Sequence, residues 1–261
     1  GGGIILLLAH NWEELSRPVR AGISFLPLVV AQVLAVWLVW TGRASTAWRE
    51  GVGTGLAVSI GASIALISQT YNLGGDFGDF MLTWVLFGLP VAYLLRATLP
   101  ALLYLVGITV WASAVWNNGW ASLGYWPLLV LALPWWWREL REGRYQPRAV
   151  LFGWMLAITI SVGLGISLHE TFGRHETWTL VFSGLAGTLF LAGSRWWEAG
   201  TTWWQRPLQT VGAVEGVVLG LVLSFKDTWP SSSWNVTPHG QIWASMVAAV
   251  WPVAAVTLWV L

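Results

Sequence analysis

Cysteine is absent from this chain of 261 residues. Without a thiol, the protein forms no disulfide and has neither a thiolate nucleophile nor cysteine ligands for zinc or an iron–sulfur cluster. Charge is also scarce, because Asp, Glu, Lys and Arg make up 10% of the residues, against about a quarter in soluble domains. The net charge is +1 without a basic stripe, so nucleic acid is excluded as an expected partner.

The familiar catalytic motifs are missing as well. The sequence contains no G-x-S-x-G, no Walker loop, no H-E-x-x-H and no dinucleotide fingerprint. Its four histidines, at positions 10, 169, 175 and 239, lie at the ends of apolar segments, where ligands of a transmembrane haem are not expected. The sequence therefore leaves the cofactor unknown and metal binding open, and it favours a protein without catalytic activity over an enzyme.

Apolar residues are abundant instead. They make up 56% of the chain, which contains 23 tryptophans and has a mean hydropathy of +0.63. Apolar stretches of about 20 residues, each long enough to cross a bilayer as a helix, recur along the whole length. They run continuously, without the alternation of polar and apolar residues that a barrel strand requires. The pattern predicts an all-α, polytopic transmembrane helical bundle in contact with the lipid bilayer.

The apolar segments predict nine complete spans and a truncated first helix over residues 1–9. We expect a single transmembrane domain over 1–261, cut from a longer chain. Pro127 and Pro134 offer an alternative for one short segment, which is a re-entrant hairpin. The predicted spans are 19–40, 48–68, 79–95, 97–116, 123–137, 149–168, 176–193, 207–225 and 240–261.

The basic residues predict the orientation, since short cytoplasmic loops carry an excess of Lys and Arg. If every segment spans, nine arginines lie on one side and four basic residues on the other, so the side with nine is expected to be cytoplasmic. A hairpin at 123–137 would change the count to eight against five and reverse the orientation. The nine are Arg43, Arg49, Arg96, Arg138, Arg141, Arg144, Arg148, Arg195 and Arg206, and the four are Arg17, Arg20, Arg174 and Lys226.

Tryptophans and small residues suggest how the helices are arranged. The tryptophan clusters within 135–144 and 195–206 lie beside arginines, as expected of belts at the membrane interface. Small residues at a spacing of four favour close helix packing, with a homodimer or membrane complex as the alternative. These ladders are Gly51, Gly55, Ser59 and Ser63; Gly153, Ala157, Ser161 and Gly165; and Gly212, Gly216 and Gly220.

Two polar breaks carry candidate binding residues. The first, HNWEEL, contains His10, Asn11 and Glu13, and Asn11 is placed to cap a short helix together with Glu14. The second, ISQTYNLGGDFGDF, contains four candidates, of which Asp79 is placed to cap the following helix. If the breaks meet, two acids and a histidine could hold a divalent cation or act as acid and base. The four candidates of the second break are Gln69, Tyr71, Asp76 and Asp79.

One acidic residue lies inside a predicted span. Glu215 is flanked by Gly212 and Gly216 near the middle of 207–225. An intramembrane carboxylate is costly when ionised, so it either lines a polar path or is neutral and hydrogen-bonded across a helix contact. Glu215 is therefore the candidate for a proton-coupled or transport role, and Gln32 is a weaker candidate for the same cavity.

The two breaks also resemble a bacterial membrane-protein family, domain of unknown function 2157. The similarity covers about the first 100 residues, and the remainder matches only as generic helices. It implies a multi-pass protein of the bacterial inner membrane, preceded by a cytoplasmic region, and implies no activity. The motifs that carry it are Ala9, Asn11 and Trp12 in the first break, then Gln69, Tyr71, Gly75, Asp76 and Trp84 in and after the second.

Three functions follow as hypotheses. The leading one is a protein that binds or transports a small or amphiphilic solute, with Glu215 in its interior. The second is a structural or assembly subunit of a membrane complex. The third is a metal-dependent enzyme at the outer face that acts on lipid-linked substrates, with a metal held by His10 and by Glu13, Asp76 or Asp79.

Overall fold

A computed structural model describes most of the chain between Glu14 and Ser224. The predicted first helix at 1–9 and the predicted last span at 240–261 lie outside the described residues. The described ranges are 14–42, 45–115, 123–172, 175–197 and 202–224.

The described residues form eight α-helices and contain no strand, which confirms the all-α prediction for this part of the chain. A single turn of 3-10 helix, Trp203–Gln205, precedes the last of them. The helices are α1 (Arg17–Thr41), α2 (Thr46–Tyr71), α3 (Phe77–Leu95), α4 (Thr98–Ala114), α5 (Tyr125–Gly143), α6 (Pro147–Phe172), α7 (His175–Trp196) and α8 (Pro207–Ser224).

Within the described ranges, five helices are long and apolar enough to cross a membrane: α1, α2, α3, α8 and the Pro147–Leu168 part of α6. Nine complete spans are therefore not supported. The 17 residues of α4 extend only about 26 Å, which is short of a ~30 Å hydrocarbon core. The last turns of α5 carry the charged sequence RELRE, which lowers the hydropathy of this helix. Gly, Ser and Thr residues lower the hydropathy of α7 in the same way.

The segment that contains Pro127 and Pro134 is one continuous helix, so the chain makes no re-entrant hairpin there. Pro127 lies in the first turn of α5, where the missing N–H is not needed. Pro134 lies inside the helix. The helix also continues six residues beyond the predicted end at 137, because the charged residues that follow extend it past its apolar part.

The chain divides into two compact units, residues 1–111 and residues 112–261. The single domain over 1–261 stays a prediction. In unit 1, α1 packs along α2, and α2 packs along α3. Their shared core contains mostly aliphatic side chains, which are Ala35, Leu38, Val52, Leu56, Val91, Leu95 and Ala97.

Two hydrogen bonds between helices fix the packing of unit 1. The buried Ser63 hydroxyl donates to the Ser24 carbonyl oxygen of α1 over 2.9 Å. The Trp84 indole N–H of α3 donates to the Ala57 carbonyl oxygen of α2 over 2.7 Å. Gly61 makes room for this indole, since a Cβ at that position would lie 3.0 Å from the indole nitrogen. These bonds hold α1 and α3 against the same segment of α2.

Glu50 supplies a third contact that sequence reasoning missed. Its carboxylate oxygens accept the backbone N–H groups of Thr98 and Leu99, each over 2.8 Å. The first N–H groups of a helix have no partner within it, and its N-terminus favours negative charge. Glu50 on α2 therefore caps α4 across 48 residues of sequence.

The small-residue ladder of α2 does not form the close contacts predicted for it. A Cβ at Gly51 or Gly55 would meet nothing within 4 Å, whereas one at Gly53 would lie 3.0 Å from the Pro100 ring. Ser63 is the exception, through its bond to Ser24. Close approach in unit 1 thus uses Gly53 and Gly61, which lie two residues away from the predicted ladder positions.

In unit 2 the ladders are used in part. A Cβ at Gly153 would lie 2.7 Å from the Pro207 ring, and one at Gly212 would lie 2.6 Å from the backbone of both Ala186 and Phe190. Gly216 and Gly220 have open space around them. The first turns of α8 therefore pack closely on α6 and α7, while the remainder of its glycine face makes no such contact in the described structure.

Several tryptophans interpreted as interfacial anchors lie inside the protein. Trp135 and Trp197 are each 1% exposed and Trp136 is 5% exposed. Trp135 and Trp136 both pack near Phe152, and Trp136 also packs near Trp197. Trp203 and Trp204 remain exposed, as expected of belt residues. The buried indoles fill the space between helices, since an aromatic side chain covers more area than any aliphatic one.

We predict that Gly212→Ala lowers the free energy of unfolding by about 1–3 kcal/mol, the usual cost of overpacking. The added methyl group would press on backbone atoms of α7, which cannot rotate away. Gly216→Ala is the matched control, because the same methyl group meets open space there. Thermal unfolding in detergent, followed by circular dichroism, measures both; equal midpoints would contradict the packing.

Candidate binding groove

Unit 1 contains a groove of about 1370 Å³ between α1, α2 and α3. Along most of its length the walls are apolar, and each of the three helices contributes aliphatic or aromatic side chains. Ligand sites have this character when a few polar groups converge at one position. The apolar lining includes Phe25 and Leu28 of α1, Leu56, Ile60, Ile64 and Ile67 of α2, and Phe80, Phe87, Pro90 and Val91 of α3.

The polar lining is concentrated at one end, where α2 finishes and α3 begins. Gln69, Asp76 and Asp79, three of the residues predicted from the sequence, all line the groove there. Ser68 and Asn72 add further hydrogen-bonding groups at the same end. The fold thus brings these polar residues of the second break together at one end of the groove, which we call its mouth.

The loop between α2 and α3 creates this mouth. Asn72 ends α2 in the left-handed conformation, with φ of 47°, and its N–H donates to the Ser68 carbonyl oxygen. Gly75 follows with φ of 151°, a conformation that glycine adopts without strain. The chain therefore reverses in a few residues and delivers Asp76 directly to the start of α3.

Asp76 and Asp79 cap α3 reciprocally. The Asp79 N–H donates to Asp76 Oδ1 over 2.8 Å, and the Asp76 N–H donates to Asp79 Oδ2 over 3.4 Å. Asp76 is the N-cap residue, because the helix begins at Phe77. Asp79, which the sequence predicted as a capping residue, takes part in the cap from the third position of the helix. In the described part of the chain, the second oxygen of each carboxylate accepts no hydrogen bond.

Two glutamine amides lie farther from the caps. Gln69 is exposed near the end of α2, and Gln32 is exposed on α1. Gln32 lies eight residues, or about 12 Å, beyond the Ser24 contact and so marks the deep end of the groove. Neither side-chain amide forms a hydrogen bond with another residue in the described part of the chain. Both amides therefore add unused hydrogen-bonding groups to the lining of the groove.

The other predicted site residues do not join this cluster. Tyr71 is 45% exposed and is not part of the lining. His10, Asn11 and Glu13 lie outside the described residues, and Glu14 is exposed. Proximity of the two polar breaks stays a prediction.

Metal binding has no support among the residues that the structure describes. They contain no group of three His, Asp or Glu side chains close enough to hold an ion. Asp76 and Asp79 form only a pair, and each already accepts a backbone N–H. The metal site proposed for an enzyme therefore depends on His10 and Glu13, beyond the described ranges.

Glu215 belongs to unit 2, whereas the groove residues belong to unit 1. Its Oε1 accepts a hydrogen bond from the Ser161 hydroxyl, which joins α8 to α6. Its Oε2 is shielded from solvent and has no partner in the described structure. The Ser161 hydroxyl also lies 2.9 Å from the Ala157 carbonyl oxygen of its own helix, so the two acceptors share its single hydrogen. The arrangement places one carboxyl group at a helix contact, as one of the two sequence-based alternatives requires.

Comparison with known proteins concerns the part of the chain that forms the groove. Residues 1–101 match the family model described as "Predicted membrane protein (DUF2157)". The suspected resemblance is confirmed over this range. Every residue that lines the groove lies within the match. No curated protein and no solved structure matches the chain. Over residues 1–101 the chain is thus similar to a family of predicted membrane proteins of unknown function, in agreement with its several apolar helices.

Sequence reasoning missed the aromatic wall of the groove, although a signal was available. Phe77, Phe80, Trp84 and Phe87 recur at intervals of three, four and three residues, which places them along one side of α3. Phe80 lies near both Phe77 and Trp84, with ring centroids 6.1 and 6.4 Å apart. Phe77, Phe80 and Phe87 of this stripe line the groove, whereas Trp84 packs on α2 through its hydrogen bond to the Ala57 carbonyl oxygen.

We predict that Asp76→Ala lowers the free energy of unfolding by about 1 kcal/mol, whereas Asp76→Asn changes it by a few tenths. Asparagine retains an oxygen that accepts the Asp79 N–H, and alanine does not. Thermal unfolding of the purified variants measures the difference. If the two variants were equally destabilised, charge rather than the capping hydrogen bond would stabilise the start of α3.

Proposed function

We propose that unit 1 binds an amphiphilic solute, with its polar headgroup between Gln69, Asp76 and Asp79 and its apolar chain along the groove. The observation that carries this proposal is the uneven distribution of polar groups in the lining. Both carboxylates lie at one end, and the rest of the lining is apolar apart from Gln32, Ser63 and Thr83. A purely polar solute would leave the aliphatic and aromatic walls uncovered. A purely apolar one would leave the carboxylates and amides without partners.

The length of the groove supports an extended chain. Its lining runs from Gln69 back to Leu56 on α2 and from Phe77 to Val91 on α3. At 1.5 Å per residue, both distances are about 20 Å. A long alkyl chain fits this length, and Gln32 near the deep end would meet a second polar group if the solute has one.

The headgroup is expected to donate hydrogen bonds. Asp76 and Asp79 each have one carboxylate oxygen that accepts nothing among the described residues. Carboxylates form their strongest hydrogen bonds with charged donors. The positive end of α3 offsets part of their charge, so amines and hydroxyl-rich groups are favoured and carboxylic acids are disfavoured.

We also propose that the protein lies in the inner membrane of a bacterium and that the groove opens on the outer side. The family resemblance and the arginine bias support this location. Arg49 and Arg96 lie at the end of unit 1 opposite to Asp76, in agreement with a cytoplasmic assignment for that end. The nine-to-four count assumes that every segment spans, so the sidedness stays a prediction.

We predict that a photoreactive alkylamine labels α1, α2 and α3 of the full chain, and that the alkyl acid of the same length labels them less. Ile64→Trp should lower the labelling about tenfold, because the indole would occupy the groove. Val58→Trp is the matched control, since Val58 lies on α2 outside the lining. Peptide mapping by mass spectrometry identifies the labelled residues and measures the yield of labelling.

The same labelling experiment distinguishes the contribution of the headgroup to binding from that of the apolar chain. Asp76→Asn keeps the cap but removes a charge, so it should reduce the preference for amine over acid without abolishing labelling. Labelling that is unchanged in Ile64→Trp, or equal in that variant and Val58→Trp, would contradict the groove as the binding site.

A second candidate function rests on Glu215. We propose that this carboxyl group takes up and releases a proton within unit 2, because it joins two helices through Ser161 and keeps one shielded oxygen without a partner. Intramembrane acids of this kind commonly belong to proton or ion pathways. The alternative is a neutral acid whose only role is to hold α8 against α6.

We predict that Glu215→Gln abolishes proton uptake by proteoliposomes while leaving thermal stability within a few tenths of a kcal/mol, because the amide still pairs with the Ser161 hydroxyl. A pH-sensitive dye inside the vesicles measures uptake under an imposed potential. Ser161→Ala is the comparison, since it removes the hydrogen bond and keeps the acid. Unfolding of Glu215→Gln, or unchanged uptake, would rule out the proton role.

Assembly into a larger complex stays a prediction. The open faces at Gly216 and Gly220 on α8 are compatible with a further helix packing there.

A further inference from the structure

We propose that the opposite end of unit 1 binds the phosphate group of an anionic phospholipid between Arg49 and Arg96. Both arginines line one cavity of about 190 Å³, which lies where α1 and α3 finish and α2 begins. The remaining lining is aliphatic, from Leu38, Val39, Leu94 and Leu95. Two guanidinium groups above an apolar wall match a lipid headgroup with its chains attached.

The arginines are held in place by the backbone around them. Arg96 is the C-cap of α3, with φ of 51°, and its N–H donates to the Ala92 carbonyl oxygen. Arg49 lies in the first turn of α2 and is half-buried. Because both positions are fixed by helix ends, their guanidinium groups approach the cavity from two different helices with little backbone freedom.

The local charge favours an anion. None of the described residues that line the cavity is acidic. The neighbouring carboxylate of Glu50 already accepts the N–H groups of Thr98 and Leu99. The lining therefore offers a phosphodiester two positively charged side chains and no acidic one.

The position of the cavity favours a lipid over free phosphate. Val39 is 60% exposed and Leu94 is 73% exposed, so acyl chains have an uncovered apolar surface directly beside the arginines. Trp37, Trp40 and Trp48 are also exposed at this end of unit 1. Exposed tryptophans of this kind lie at the headgroup level of a bilayer, which is the depth of a lipid phosphate.

Native mass spectrometry of the full chain, titrated with phosphatidylglycerol or with phosphatidylcholine of the same acyl chains, tests the proposal. We expect tighter binding of phosphatidylglycerol, and a loss of about fivefold in its affinity on Arg49→Gln or Arg96→Gln. Arg17→Gln is the matched control, because it removes one exposed arginine at the other end of unit 1. Arg49→Lys should keep part of the affinity, since charge remains and the bidentate geometry is lost.

The outcomes separate the lipid from other ligands. Equal phosphatidylglycerol affinity in Arg49→Gln and Arg17→Gln would overturn the proposal. Displacement of the lipid by millimolar inorganic phosphate alone would assign the cavity to a free anion and overturn the lipid assignment. Circular dichroism confirms the fold of each variant, and if Arg49→Gln fails to fold, the Arg96→Gln and Arg49→Lys titrations decide the result.

Discussion

The reversal of the chain between α2 and α3 is the constraint on which the groove depends. Asn72 ends one helix in the left-handed conformation and Asp76 begins the next, so only a short loop separates two long antiparallel helices. The reciprocal hydrogen bonds of Asp76 and Asp79 satisfy the N–H group of the cap residue and that of the third residue of α3. In an apolar environment such satisfaction is obligatory. The same carboxylates then lie at the mouth of the groove, so a structural requirement and a candidate binding function share two side chains.

The two ends of unit 1 carry different charged and polar groups, and α2 runs from one end to the other. Its first turns carry Arg49 and Glu50, and its last turns carry Gln69. About 30 Å of helix separates these ends, which matches the thickness of a hydrocarbon core. The acidic end opens on a deep apolar groove and the basic end on a small cavity. The two proposed sites therefore differ in charge and lie about one hydrocarbon thickness apart.

Small residues have two different roles in this protein. Gly61 accommodates the Trp84 indole, and Gly212 allows the backbone of α7 to approach α8. Gly216 and Gly220, at the same spacing along α8, meet nothing. A spacing of four residues in the sequence therefore marks a helix face that permits close approach, but it does not say which glycines are in contact. Contact depends on where the axes of neighbouring helices cross, and each crossing uses only one or two turns.

Composition and hydropathy by themselves determined that the chain is helical and apolar enough for a membrane, because a bilayer admits few other arrangements of the backbone. The polar residues of the second break could also be named from the sequence, since capping residues and glycines have local signatures. The number of spans could not, because hydropathy does not separate a span from an apolar helix that is short, charged at one end or buried against protein. Only the tertiary structure decided that Gln69, Asp76 and Asp79 share a groove with Gln32, that Glu215 pairs with Ser161, and that Glu50 caps α4. Each of these contacts joins residues far apart in sequence, and packing alone selects such partners.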